Sequence, residues 1–206
     1  QIKGGTVELP LLPKVAQDVL AMTQQPDADS RRLSELLHQD QALASQVLRM
    51  ANSPLYAPKV HIVSLSQAVN RLGFRAISEM AISAAIAGGI FAMPGHAETL
   101  DAVWRHSLAT GAFAKELARR RRANVECAFL CGLMHSIGRP ILIRTLVRVQ
   151  ADLNVSLAAD VFAEIVDNRH KLFGALVAER WKLATPVCEA IRYVDRPDDA
   201  PKYGDD

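Results

Sequence analysis

The stretch LDAVWRHSLATGAFAKELARR, running from Leu100 to Arg120, decides the fold class. Trp104, Leu108 and Leu117 recur along it at roughly helical intervals, and no proline interrupts the run. A segment of that length and period is an amphipathic helix, not a strand. Working outward, the period holds on both sides. Towards the start, Leu12, Val15, Val19 and Met22 mark a helix with Pro13 where a first helical turn accepts it. Leu33, Leu36 and Leu37 mark a short second helix. Asp40 caps a third, with Leu43, Val47, Leu48 and Ala51 on one face, until Asn52-Ser53-Pro54 stops it. Ser64-Leu65-Ser66-Gln67 fits a capping box whose helix should end at Gly73. A longer, largely buried helix is expected from Arg75 to about Phe91. Pro94-Gly95-His96 then makes the clearest boundary in the chain. Beyond Arg120, Asn124 can cap a helix that reaches Met134 and ends near Gly138-Arg139-Pro140, and Ile141 to Leu153 forms another. Ser156 can cap one running to about Asn168, Leu172 to Lys182 continues helically, and Pro186 opens a last short helix to Tyr193.

Composition agrees. Half of the 206 residues are hydrophobic and 22% are charged, which argues against a disordered or low-complexity chain. Alanine (31) and leucine (24) together exceed a quarter of the residues, which argues against an all-β fold. The expected architecture is all-α and two-lobed: a single domain over residues 1–206, with one helical lobe over 6–93, a second over 99–194 and a polar tail over 195–206. The helix from Arg75 to Phe91 is expected to pack against both lobes. The net charge of +2 gives nucleic acid no basic face to select, so DNA is not an expected partner. Three cysteines make no disulfide framework and suit a reducing compartment. The opening Gln1-Ile2-Lys3-Gly4-Gly5 reads as a domain cut from a longer protein. The longest uncharged stretch, Met80 to Gly95, is shorter than the ~20 residues of a membrane span. The expectation is a cytoplasmic protein with no membrane partner.

Three of the six histidines, His106, His135 and His170, fall in different predicted helical elements. Converging in a bundle, three imidazoles could hold a divalent metal with a position left open for water. The plainer reading, favoured without a carboxylate at a matching position, is hydrogen-bonded structural histidines. Cys127, Cys131 and His135 follow one another at four-residue steps and share a helix face. Spread over ~12 Å of helix they cannot all reach one ion, so at most two could serve. Small core side chains explain the cysteines better. Arg119, Arg120, Arg121 and Arg122 point around the helix, which fits a solvated helix end. The functional alternative is contact with an anion or an acidic partner. No phosphate-binding glycine loop, GxSxG elbow or HExxH zinc motif occurs.

Six blocks in order carry a resemblance. The first half has Leu9-Pro10-Leu11-Leu12-Pro13, then Asp40-Gln41-Ala42-Leu43 running on to Leu48-Arg49-Met50-Ala51-Asn52-Ser53, then Ser66-Gln67-Ala68-Val69-Asn70-Arg71-Leu72-Gly73. The second has Trp104-Arg105-His106-Ser107, then Ala128-Phe129-Leu130-Cys131-Gly132-Leu133-Met134-His135-Ser136-Ile137-Gly138, and closes with His170-Lys171-Leu172-Phe173-Gly174-Ala175 and Trp181. Across nearly its whole length the chain resembles the HDOD family, the bacterial HD-related output domains, and its second half is similar to the HD phosphohydrolase core.

The resemblance implies site positions. His106 stands at the early metal-binding His of HD enzymes, His135 at the first half of the His-Asp pair, and His170 at a further His. Ser136 occupies the Asp position, and Val194-Asp195 replaces the late His-His pair. A neutral hydroxyl is a weak ligand and offsets no metal charge, whereas the missing carboxylate does both. The reading is therefore a non-enzymatic signalling module with a degraded metal site, no catalytic residue, no metal and no cofactor. Its implied partner is a signalling protein or a fused receiver or cyclic-dinucleotide domain, or else a small ligand. The alternatives are an active phosphohydrolase using His106, His135, His170 and Asp195, and a sensor of anionic nucleotides without turnover.

Overall fold

Helices begin in this chain where a side chain can satisfy the unpaired amides of a first turn. The structure, a computed structural model, describes residues 10–23, 25, 29–53, 56 and 60–201. The opening Gln1 to Gly5, Leu9, Pro54 and the tail beyond Pro201 lie outside the described residues. Helix α1 spans Lys14–Thr23, α2 Ser30–His38 and α3 Gln41–Ala51. Asp29 caps α2 through the Arg31 amide, and Asp40 caps α3 through the Leu43 amide at 3.0 Å. Ser64 caps α4 (Leu65–Ile86), accepting from the Gln67 amide at 3.2 Å. The returning bond of this box is displaced by one residue: Gln67 Oε1 accepts from the Val63 amide rather than from Ser64. A break falls within α4 at Gly73 (φ 86°, ψ 160°), where only glycine is at ease. The helix resumes at once, reaching Phe91 through a wider turn over Ala87–Phe91.

No strand occurs among the described residues, and the fold is all-α. The chain divides into two compact units, one over residues 12–89 and one over residues 90–201 together with Pro10 and Leu11. In the first, α1, α2 and α3 all pack on α4. Leu33, Leu37, Val47, Ile77 and Met80 are fully buried there. Burying each such side chain contributes roughly 1.5–3 kcal/mol. Asn52 closes this unit locally. Its side chain accepts from the Ile62 amide and donates to the Ile62 carbonyl, both at 2.8 Å, and also bonds the Leu48 carbonyl.

The second unit holds α5 (Ala97–Arg121), α6 (Val125–Met134), α7 (Gly138–Leu153), α8 (Ala159–Arg180) and α9 (Thr185–Arg192). α5 packs on α6, α7 on α8, and α9 on both α6 and α8. Phe91 rests on Trp104 with ring centroids 5.1 Å apart, and the Trp181 indole donates to the Pro10 carbonyl at 2.8 Å. Asn124 caps α6, accepting from the Cys127 amide at 2.9 Å.

Two expectations need correction. Ser156 caps nothing: α8 starts after Ala158, because the Leu157 amide is already held by Gln150 Oε1 in the preceding turn. Leu117 does not belong to a buried face. It is 61% exposed and Phe113, one turn earlier, 73%, so α5 buries Leu100, Ser107, Gly111 and Ala118 instead. The stretches Leu65–Phe91 and Val125–Leu153 are long and apolar enough to span a membrane by length and composition, a test that the core helices of a folded unit also pass.

Candidate histidine cluster in the second unit

Close helix packing brings the histidines together. A Cβ on Gly132 would lie 2.6 Å from the Gly111 Cα, so α6 approaches the backbone of α5 as only glycine allows. A Cβ on Gly138 would lie 1.8 Å from the His170 carbonyl oxygen, and so the start of α7 presses directly on α8. These contacts set His106 of α5 beside His135, which follows the last residue of α6, with ring centroids 5.1 Å apart and edge to face. His170 of α8 is buried and near enough to bear on His135 electrostatically.

The hydrogen bonds fix how these groups present themselves. His135 Nδ1 lies 2.7 Å from the Gly132 carbonyl, and His170 Nδ1 lies 3.1 and 2.9 Å from the Val166 and Asp167 carbonyls. A carbonyl only accepts, so both Nδ1 atoms carry the proton and both Nε2 atoms keep a free lone pair. Burial pushes both imidazoles below the ordinary histidine pKa, and the Arg139 guanidinium adds to the effect on each. At neutral pH they are uncharged acceptors.

Ser136 is committed elsewhere. Its hydroxyl lies 2.7 Å from Ser107 Oγ in a buried contact, and Ser107 Oγ donates to the Val103 carbonyl at 2.9 Å. Ser107 has one proton and gives it to Val103, so Ser136 is the donor of the pair. Asp195 is also occupied, paired with Lys171. Arg139 pairs with Asp167 at 2.6 Å. Among the described residues no three His, Cys, Asp or Glu side chains gather closely enough to share a metal ion.

The arginine run divides. Arg119 and Arg120 share Glu116, at 2.5 and 3.3 Å, and hold its carboxyl below the usual range. Arg121 and Arg122 are exposed, with Arg122 in the left-handed region (φ 57°) as it closes α5.

The family model described as the HDOD domain matches residues 9–197. The chain belongs to the HDOD family. Among solved structures, this HDOD chain is similar to the "Putative metal-dependent phosphohydrolase" of Shewanella amazonensis SB2B. The two are 27% identical with a TM-score of 0.73, covering 97% of this chain and 72% of that one. It is also similar to the "Putative signal transduction protein" of Marinobacter aquaeolei VT8, at 27% identity and a TM-score of 0.69, covering 93% and 45%. An uncharacterized protein of Treponema pallidum (strain Nichols) is 28% identical over 196 residues, which are 90% of this chain and 37% of that protein. The HDOD chain thus spans little more than a third of that relative.

Sequence reasoning placed His106, His135, Ser136 and His170 but assigned no role to Ser107 or Arg139. Ser107 was visible as the neighbour of His106. Arg139 gave no signal, since its partner Asp167 lies 28 residues away.

Proposed function

We propose that this HDOD chain is a signal-transduction module that works by binding a protein partner or a small ligand and hydrolyses no phosphate ester. The observation that carries the reading is the Ser136–Ser107–Val103 relay. Where an HD enzyme keeps a metal-binding carboxylate, this chain keeps a hydroxyl whose proton is spent inside the protein. A hydroxyl supplies neither the charge nor the hard anionic oxygen that a divalent ion requires. The likeness to a protein described as acting in signal transduction supports the same reading. A fused or separate receiver or cyclic-dinucleotide domain is the partner class proposed, in the cytoplasm. Arg121 and Arg122 offer such a partner an exposed cationic edge.

A second reading, the phosphohydrolase, draws on the open Nε2 atoms of His135 and His170 and on the Shewanella likeness. The decisive experiment incubates the protein with manganese and a panel of cyclic dinucleotides and nucleotides, and follows products by chromatography. Elemental analysis of protein purified without chelator accompanies it. We expect no product and no stoichiometric metal. Turnover that disappears in His135→Ala, together with about one metal ion per chain, would establish the enzyme instead. Micromolar nucleotide binding by calorimetry without turnover, lost in His135→Ala, would identify a sensor.

A further inference from the structure

Helix α5 is covered on one side only. It buries Leu100, Ser107, Gly111 and Ala118 against its own unit. On the opposite side Ala102, His106, Ala109, Phe113 and Leu117 follow one another at three- and four-residue steps, and all five stand exposed. A stripe of this period along a 25-residue helix is a seam that another helix can fill. The charges of α5 are divided along its length. Its first half carries Glu98, Asp101 and Arg105; its second carries Lys115, Glu116 and the arginines from Arg119 to the capping Arg122. The start is net acidic and the end strongly basic. Asp101 is paired with Arg105, and Arg119 and Arg120 divide one carboxylate between them. Glu98 is exposed and has no ion pair among the described residues.

We propose that this stripe is a homodimer interface, in which two copies of the chain pair their α5 helices antiparallel about a two-fold axis at Ala109. The self-complementarity of the helix selects a second copy over a foreign partner. Charge sets the direction: antiparallel pairing lays each acidic start on a basic end, whereas parallel pairing would lay arginines on arginines. An acidic foreign helix would suit the arginines but leave Glu98 facing like charge.

Bulk agrees with charge. Phe113 and Leu117 lie in the basic half, Ala102 and Ala109 towards the acidic one, so reversing one helix sets large side chains against small. Glu98 and Arg120 lie ~33 Å apart along the helix. Matching each to the other in the second copy brings Ala109 opposite its own equivalent, where small side chains let two helices approach to about 8 Å. In that register Phe113 enters the hollow framed by Ala102, Arg105, His106 and Ala109 of the second copy, as a knob enters a hole. Every contact is made twice, as a closed two-fold interface requires. The pairing holds whichever way the histidine cluster is read.

The test is sedimentation velocity of the purified chain over a range of concentrations. The expected result is a monomer–dimer equilibrium in the micromolar range, since one helix per copy gives an interface at the small end of specific ones. Phe113→Asp should weaken it ~100-fold or more, because loss of a central aromatic anchor costs at least about tenfold and a two-fold interface counts it twice. Glu98→Arg should weaken it roughly 10-fold at low salt and less at high salt, where exposed charges are screened. Leu172→Asp, at an exposed leucine of α8, should leave it unchanged. Circular dichroism of each variant separates loss of the dimer from loss of fold. Direction is read by cross-linking with copper phenanthroline as oxidant, the parent with its own three cysteines as control. Ala109→Cys should join two copies and Ala102→Cys should not, since antiparallel pairing holds the two copies of position 102 about 21 Å apart along the axis. A monomer at every concentration, a dimer that survives in folded Phe113→Asp, loss in folded Leu172→Asp, or cross-linking through Ala102→Cys instead of Ala109→Cys would overturn the proposal.

Discussion

At the scale of single residues, the Ser136–Ser107 contact predicts an asymmetry. Ser107→Ala removes the acceptor of the Ser136 hydroxyl and leaves a buried donor unsatisfied, at a cost of about 1–3 kcal/mol. Ser136→Ala leaves the Ser107 proton on Val103 and forfeits one ordinary hydrogen bond, about 0.5–1.5 kcal/mol. Urea denaturation of the two variants measures the difference, and an equal or reversed cost would refute the donor assignment. The histidines add a pH dependence. In the folded protein burial holds His135 and His170 below the ordinary value, while in the unfolded chain both titrate near ~6.5. The unfolded state therefore takes up more protons as pH falls through ~6.5, so their stability contribution is present above that value and lost below it. Unfolding midpoints should drop as pH goes from about 7.5 to about 5.5, and less steeply in His135→Gln. That Ser136 is a hydroxyl where the resemblance implies a carboxylate was legible in the sequence, because residue type needs no geometry. The relay to Ser107 was not, because it depends on how closely two helices approach.

At the scale of elements, glycine decides that approach. Gly138→Ala would drive a methyl group into the His170 carbonyl, with no flexible side chain to yield. The expected loss is ~3 kcal/mol or more, at the upper end of overpacking costs. Gly73→Ala meets no neighbour and costs about 1–3 kcal/mol through backbone strain alone. Thermal denaturation of the pair separates crowding from strain: a Gly138→Ala as stable as the parent would contradict the contact between α7 and α8. Most helix boundaries were readable from local chemistry. Asp40, Ser64 and Asn124 each cap as their side chains suggest, and Gly73 breaks the helix where its pattern ends. Ser156 misled because a serine before a helical run is a cap only if the backbone ahead of it is free, and Gln150 had already fixed that turn. Leu117 misled because period alone does not say which face of a helix finds a partner.

At the scale of the whole molecule, the two apolar stretches invite a direct check. The most apolar window of each of Leu65–Phe91 and Val125–Leu153 is 61% buried, so the folded chain should remain with the aqueous fraction when mixed with anionic or neutral vesicles and floated on a density gradient. Comigration with the vesicles would mean that these helices leave their units for lipid. The indole of Trp181 holding the carbonyl of Pro10 has a consequence for how the protein is made. The chain touches the second unit at Pro10, builds the whole of the first over residues 12–89, and only then returns. On the ribosome, where residues emerge from the amino end onward, the first unit is complete long before the second has a tryptophan to offer. Pro10 must wait through the synthesis of 171 further residues for its partner. Within this chain, Pro10 thus appears ahead of the first unit and is among the last groups to be fastened.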